Sequence, residues 1–144
     1  MKNLIIIGAS GFGREVAWLV ERINKVSETW NLMGFLDDNQ ALQGTDVNGY
    51  KVLGTTDDAA GFPDAYFVCA IGSARIREKI INTITKRRPE TKFAILIDPS
   101  VVKSDLVEIG EGSIICAHTI ITVNIKIEIQ TNMIPFPNHK FLIP

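Results

Sequence analysis

The sequence predicts an α/β fold in two parts. A mainly parallel sheet with covering helices, three layers in all, spans residues 1–97, and the start of a parallel β-helix spans residues 98–132. Three observations predict it. Apolar runs at residues 4–7 and 66–71 are continuous rather than alternating, as in strands buried on both faces. Each is followed by a glycine turn and then a helical period. After Pro99 no helical period returns, and isoleucines recur every six residues instead.

The elements follow in order. Residues 4–7 form the first strand, closed by Gly8-Ala9-Ser10-Gly11-Phe12-Gly13. Val16, Leu19, Val20 and Ile23 then recur at spacings of three and four, predicting a helix through about Lys25 with Arg14, Glu15, Glu21 and Arg22 on its other faces. Residues 30–36 are a second strand, stopped by Asp37-Asp38-Asn39. Strand, glycine turn, helix and strand make a βαβ unit. Residues 39–64 are rich in turn formers, among them Asn48-Gly49, Gly54 and Gly61, with room for a short strand at 50–53 and a helical turn opened by Thr56-Asp57-Asp58. After the strand at 66–71, Gly72-Ser73 opens a helix with the apolar stripe Ile76, Ile80, Ile81 and Ile84. Lys86-Arg87-Arg88 crowds its last turn, where cations complement the helix dipole. Residues 92–97 are a further strand, ended by Asp98-Pro99.

Ile109, Ile115, Ile121 and Ile127 lie six apart, and Met133 continues the register. Ser113 and Thr119 hold the fourth place after two of these isoleucines. Such a period marks a parallel β-helix whose isoleucines stack inside a triangular prism. Three hexads make one turn, so residues 109–132 predict little more than one. Its open end is expected to expose Ile121 and Ile127. The missing glycine after Ile127 and the prolines of residues 133–144 predict an atypical Pro-rich tail.

Composition narrows the function. An apolar content of 46% suits a globular chain. Fifteen basic against sixteen acidic residues give a net charge of −1, which argues against nucleic acid as a partner. No run approaches a membrane span or a secretory h-region, so no membrane partner is expected and the expected compartment is the cytoplasm. Cys69 and Cys116 lack partner spacing and are expected as free thiols, and no metal site is expected.

Two motifs carry chemistry. Glycines at 8, 11 and 13, at a strand-to-helix turn, let a ligand approach the backbone, and the free N–H groups of the helix start favour a phosphate. The order GxxGxG differs from the GxGxxG of common dinucleotide sites. Asp37 and Asp38, at the end of the second strand, stand where an acid can accept hydrogen bonds from a ribose diol or a base. Gly72 and Ser73 would line the same crevice, and Arg75 could reach it. The candidate binding residues are therefore Gly8, Ser10, Gly11, Phe12, Gly13, Asp37, Asp38, Gly72 and Ser73.

Taken together, residues 7–16, Gly34-Phe35-Leu36-Asp37-Asp38, Ala70-Ile71-Gly72-Ser73, Ile76-Arg77-Lys79-Ile80, Ile97-Asp98-Pro99-Ser100 and Ile109-Gly110-Glu111-Gly112 resemble the sugar O-acyltransferases of the sialic acid O-acetyltransferase type. The resemblance covers roughly residues 3–127. It implies a Rossmann-like domain that binds a UDP-sugar, a left-handed hexapeptide-repeat β-helix, homotrimers, and acetyl-CoA bound between neighbouring β-helices. It implies nucleotide contacts at Ser10, Gly11, Phe12, Asp37, Asp38 and Gly72.

The family's general base is a histidine followed by an acid. His118 precedes that position, and His139 is followed by Lys140 and flanked by prolines, so no catalytic residue is assigned. The expectation is a shortened chain in which the acetyl-CoA site is missing and the assembly is a monomer or a dimer unlike the family's trimer. A non-catalytic nucleotide-sugar-binding module and an NAD(P)-dependent oxidoreductase are the alternatives.

Overall fold

The computed structural model describes residues 1–134 of the chain. Its first part is a six-stranded sheet in the order β3-β4-β2-β1-β5-β6. The strands are β1 (Lys2–Ile7), β2 (Trp30–Leu36), β3 (Asp46–Val47), β4 (Tyr50–Gly54), β5 (Tyr66–Cys69) and β6 (Lys92–Phe93). All neighbours are parallel except β3 and β4. Helix α1 (Gly11–Val26) joins β1 to β2, and α2 (Ala74–Arg87) joins β5 to β6.

Strand β1 shows why its run is continuous. Leu4 and Ile6 pack with Val16, Leu19 and Val20 of α1, whereas Ile5 and Ile7 pack with Ile80, Ile81 and Ile84 of α2. Successive side chains point to opposite faces, so a strand between two helices must be apolar at every position. The stripe expected on α2 needs one correction. Ile76 is half exposed, and the buried residue of that turn is Arg77.

Between β2 and β5 the expected short strand is β4. It pairs with β3, which the turn-rich composition concealed. Asn48 and Gly49 both have positive φ, 50° and 87°, the geometry of a two-residue hairpin turn. The helical turn is a 3-10 segment, Thr56–Gly61, opened by a capping box between Thr55 and Asp58.

The expected strand at 92–97 is two strands in two sheets. β6 closes the large sheet, while β7 (Leu96–Ile97) pairs with β10 (Ile114–Ile115), which pairs with β13 (Asn132–Met133). β8 (Val102–Lys103) pairs with β11 (Ile120–Ile121), and β9 (Val107–Ile109) with β12 (Ile125–Ile127). All are parallel, and each residue meets the one eighteen positions later, as in Ile97, Ile115 and Met133. Three short ladders with this offset are the three walls of a β-helix. The described residues hold two turns and begin a third, where the hexads from Ile109 on predicted little more than one. Lys103 stands where a repeat isoleucine would announce the earlier hexads, and Val101 helps to fill the interior there.

Ile115, Ile121 and Ile127 form the interior with Ile97, Ile109 and Met133 around them. Ile121 and Ile127 are therefore buried, against the expectation for an open end. The corners repeat as strictly as the walls. Gly112, His118, Asn124 and Gln130, again six apart, all have positive φ. Gly110 serves the stacking directly, because a Cβ there would strike the backbone of Glu128 and Ile129 one turn on. Met133, expected in the Pro-rich tail, belongs to β13, while His139 and the rest of residues 135–144 lie outside the described residues.

Candidate functional site

The glycine turn sits at the carboxyl end of β1, between the ends of β2 and β5. Its glycines have different tasks. Gly8 has φ +101°, and a Cβ on it would lie 2.9 Å from the Ala70 carbonyl oxygen. A Cβ on Gly13 would strike the Gly8 carbonyl, so these two buried glycines let the turn and the helix start close on each other. Gly11 is different. It is exposed, and a Cβ there meets only the Arg14 guanidinium, at 3.8 Å. Ser10 is the N-cap of α1, but its hydroxyl makes no capping bond, and the first turn holds no acid. The open face of the turn is thus Ser10 and Gly11, with Phe12 half-buried beside them.

The two aspartates separate. Asp37 Oδ2 accepts the Ala9 N–H at 2.8 Å, which draws the end of β2 to the glycine turn, and Oδ1 accepts the Asn39 N–H. Asp38 turns away, where Oδ1 accepts both the N–H and the hydroxyl of Thr56 at 2.9 Å. The structure therefore brings Asp37 to the turn and places Asp38 at the start of the 3-10 segment. Gly72 and Ser73 are exposed at the start of α2, where the Ser73 hydroxyl accepts the Ile76 N–H as an N-cap. Arg75 lies along the outer face of α2 with Glu78 and Lys79, away from the turn.

Three contacts tie the sheet part to the β-helix, and none follows from a local sequence pattern. Arg77 is 3% exposed, and it donates from Nη1 to the Ile71 carbonyl at 2.8 Å and from Nε to the Gln130 carbonyl at 3.0 Å. Burial pulls the Arg77 guanidinium below its ordinary value and pushes the nearby Cys69 thiol up to about 12. Arg22 grips Asp98 with two hydrogen bonds, of 2.6 and 3.0 Å. Burial raises the Asp98 carboxyl, but the bonds from Arg22 and Ser100 outweigh it and hold the group at about 2. Glu111 accepts the Phe93 N–H.

His118 is exposed and occupies a corner with φ 65°, and its backbone N–H donates to the Ser100 hydroxyl. That is a turn-forming role. Cys69 is buried, Cys116 is half-buried, and both are free, with burial raising the Cys116 thiol to about 12 as well. Among the described residues no cluster of three or more His, Cys, Asp or Glu could hold a metal, and no helix is long and apolar enough to cross a membrane.

A family model described as the PglD N-terminal domain matches residues 3–84, from β1 through most of α2. That stretch is more than half of the chain and contains every candidate binding residue. The chain belongs to the PglD N-terminal domain family. Among curated proteins it is 30% identical over 119 residues to the UDP-N-acetylbacillosamine N-acetyltransferase of Bacillus subtilis (strain 168), covering 81% of this chain and 52% of that one. This member of the PglD family thus spans about half the length of the curated relative it matches.

Solved structures agree. WeeI from Acinetobacter baumannii AYE superposes with a TM-score of 0.73 at 33% identity, covering 92% of this chain and 61% of that one. The acetyltransferase domain of PglB from Neisseria gonorrhoeae FA1090, in complex with acetyl coenzyme A, gives 0.68 at 27%, covering 92% and 67%. The fold class is the one the sequence predicts: a Rossmann-like, mainly parallel sheet leading into the start of a β-helix.

Proposed function

We propose that this chain is the acceptor-binding part of an acetyl-CoA-dependent N-acetyltransferase that acts on a nucleotide-linked amino sugar in glycan synthesis. The observation that carries the reading is the convergence of the glycine turn, Asp37 and the start of α2 at one carboxyl edge, in a chain of the PglD family. Transfer to nitrogen is favoured over the oxygen transfer of the sialic acid type, because the curated relative is an N-acetyltransferase.

In this reading the Ser10 and Gly11 amides at the start of α1 receive the diphosphate, with Phe12 beside it. Gly8 and Gly13 shape the turn. Asp37, already fixed by the Ala9 N–H, accepts from a ribose hydroxyl or a base N–H through its remaining lone pairs. Gly72 and Ser73 form the opposite wall, and Asp38 supports the site through Thr56. The sheet part through β6 is the nucleotide-sugar unit, and the beginning of the β-helix runs from β7 to β13, so that it takes in Leu96, Ile97 and Met133. Acetyl-CoA is the acyl donor of the whole reaction. The described residues are assigned to acceptor binding, and none of them is assigned as the base. The chain is expected in the cytoplasm, as a monomer or a dimer unlike the family's trimer.

Calorimetric titration with UDP, a UDP-amino sugar, GDP and NAD tests the reading. A uridine or guanosine diphosphate should bind and NAD should not. Tight NAD binding with no response to either diphosphate would replace the transferase reading by an oxidoreductase one.

A further inference from the structure

One buried charge joins the candidate pocket to the third turn of the β-helix. Arg77 stands on α2, one turn after Ser73, and its guanidinium lies between two carbonyl oxygens that are 59 residues apart in sequence. One belongs to Ile71, directly before the exposed pair Gly72 and Ser73. The other belongs to Gln130, the positive-φ corner that opens the third turn. A groove of about 430 Å³ runs beside this contact, lined by Arg77, Ile81, Ile129 and Gln130 among others.

A guanidinium is well suited to this place. Its donors form a rigid planar fork, so two bonds in different directions fix two backbone segments relative to one another. At 3% exposure the bonds face little competition from water, and leaving a carbonyl here unpaired is costly. Lysine carries the same charge on a flexible stem and cannot span both acceptors with the same geometry.

We propose that Arg77 is a positioning residue for the nucleotide site: it sets the turn at residues 71–73 from the third β-helix turn, so that the wall of the pocket and the corner at Gln130 are held, and released, together. This rests on the reading of the carboxyl edge as a nucleotide site. A ligand seated on Gly72 and Ser73 would then tighten residues 130–133, the start of the third β-helix turn. The other clamp, Arg22 on Asp98, joins α1 to the first turn and leaves this turn alone.

Amide hydrogen exchange on the full chain tests the coupling first without ligand. In Arg77→Lys, with Arg77→Met as the stronger variant, exchange at residues 71–73 and at 130–133 should rise together, by about tenfold, while residues 8–13 stay as in the parent. The control Asp98→Asn should not raise the two segments together. If either segment loosens alone, or both remain as in the parent in Arg77→Lys, the proposal is wrong. UDP is the second arm. It should protect 71–73 and 130–133 jointly in the parent, and Arg77→Lys should bind UDP about tenfold more weakly and lose protection at 130–133. UDP protection confined to the sheet edge in the parent would overturn the coupling. Absence of any UDP protection at residues 8–13 and 71–73 would instead sink the nucleotide reading, while the ligand-free arm still decides the role of Arg77.

Discussion

Single residues divide here into those that build the turn and those left free for a ligand. A Gly11→Val variant should fold with nearly the parent's melting temperature, because a Cβ there meets only a flexible arginine end. It should nevertheless lose nucleotide affinity, since a β-branched side chain would stand where the phosphates approach. Gly13→Ala should do the reverse, because its Cβ strikes the Gly8 carbonyl and the fold itself gives way. Melting curves beside calorimetric titrations separate the two. Asp37→Ala should weaken UDP binding by about 1.5–3 kcal/mol, the usual loss for a charged hydrogen bond. It should also free the Ala9 N–H. The glycine turn was legible in the sequence because its spacing is local to the β1–α1 junction, and Asp37 because it closes the second strand of the same βαβ unit. Arg77 was not, because its partners lie 6 and 53 residues away and an isoleucine beside it fitted the helical stripe better.

At the scale of elements, sequence pattern disclosed the repeat but hid its beginning. The hexads starting at Ile109 are plain because isoleucine fills the same place four times. The earlier turn carries Lys103 in that place, so the first turn emerges only from the pairing of β8 with β11. The split of residues 92–97 between two sheets is likewise invisible to composition, since residues 93–97 are one unbroken apolar run. The corners yield a test. His118 and Asn124 hold left-handed backbone, so His118→Val should lose roughly 1–2 kcal/mol of stability through strain, while His118→Gly should be close to neutral. Both should bind UDP as the parent does, because the corner lies outside the proposed nucleotide site.

The Arg22–Asp98 clamp adds a pH dependence. Asp98 has a lower pKa folded, about 2, than its ordinary 3.8, so its contribution is complete above about pH 4 and is lost as pH falls toward 2. The difference is worth about 2 kcal/mol. Denaturant titrations at pH 6, 4 and 2.5 should show this loss in the parent and little of it in Asp98→Asn.

Across the whole molecule, the sheet and the first β-helix turns share one core. Leu96 and Ile114 are wholly buried and belong to the cluster that contains Leu4, Ile6, Val16 and Phe35. Helix α1 therefore lies between the sheet and the β-helix wall, and its two flanks depend on each other. Ile114→Ala should cost about 2–5 kcal/mol by leaving a cavity at that shared surface. For a chain of this size that is a fall of roughly 10 °C in the melting midpoint. The tryptophans make the test specific, since Trp18 and Trp30 both belong to the sheet part and Trp30 is buried in the same cluster. Tryptophan fluorescence and far-ultraviolet circular dichroism should therefore shift by the same amount in Ile114→Ala. If Trp30 reports the parent's melting temperature while the dichroism loses an early component, the β-helix turns unfold separately. In that event the coupling through α1, and with it the single cooperative unit argued here, fails.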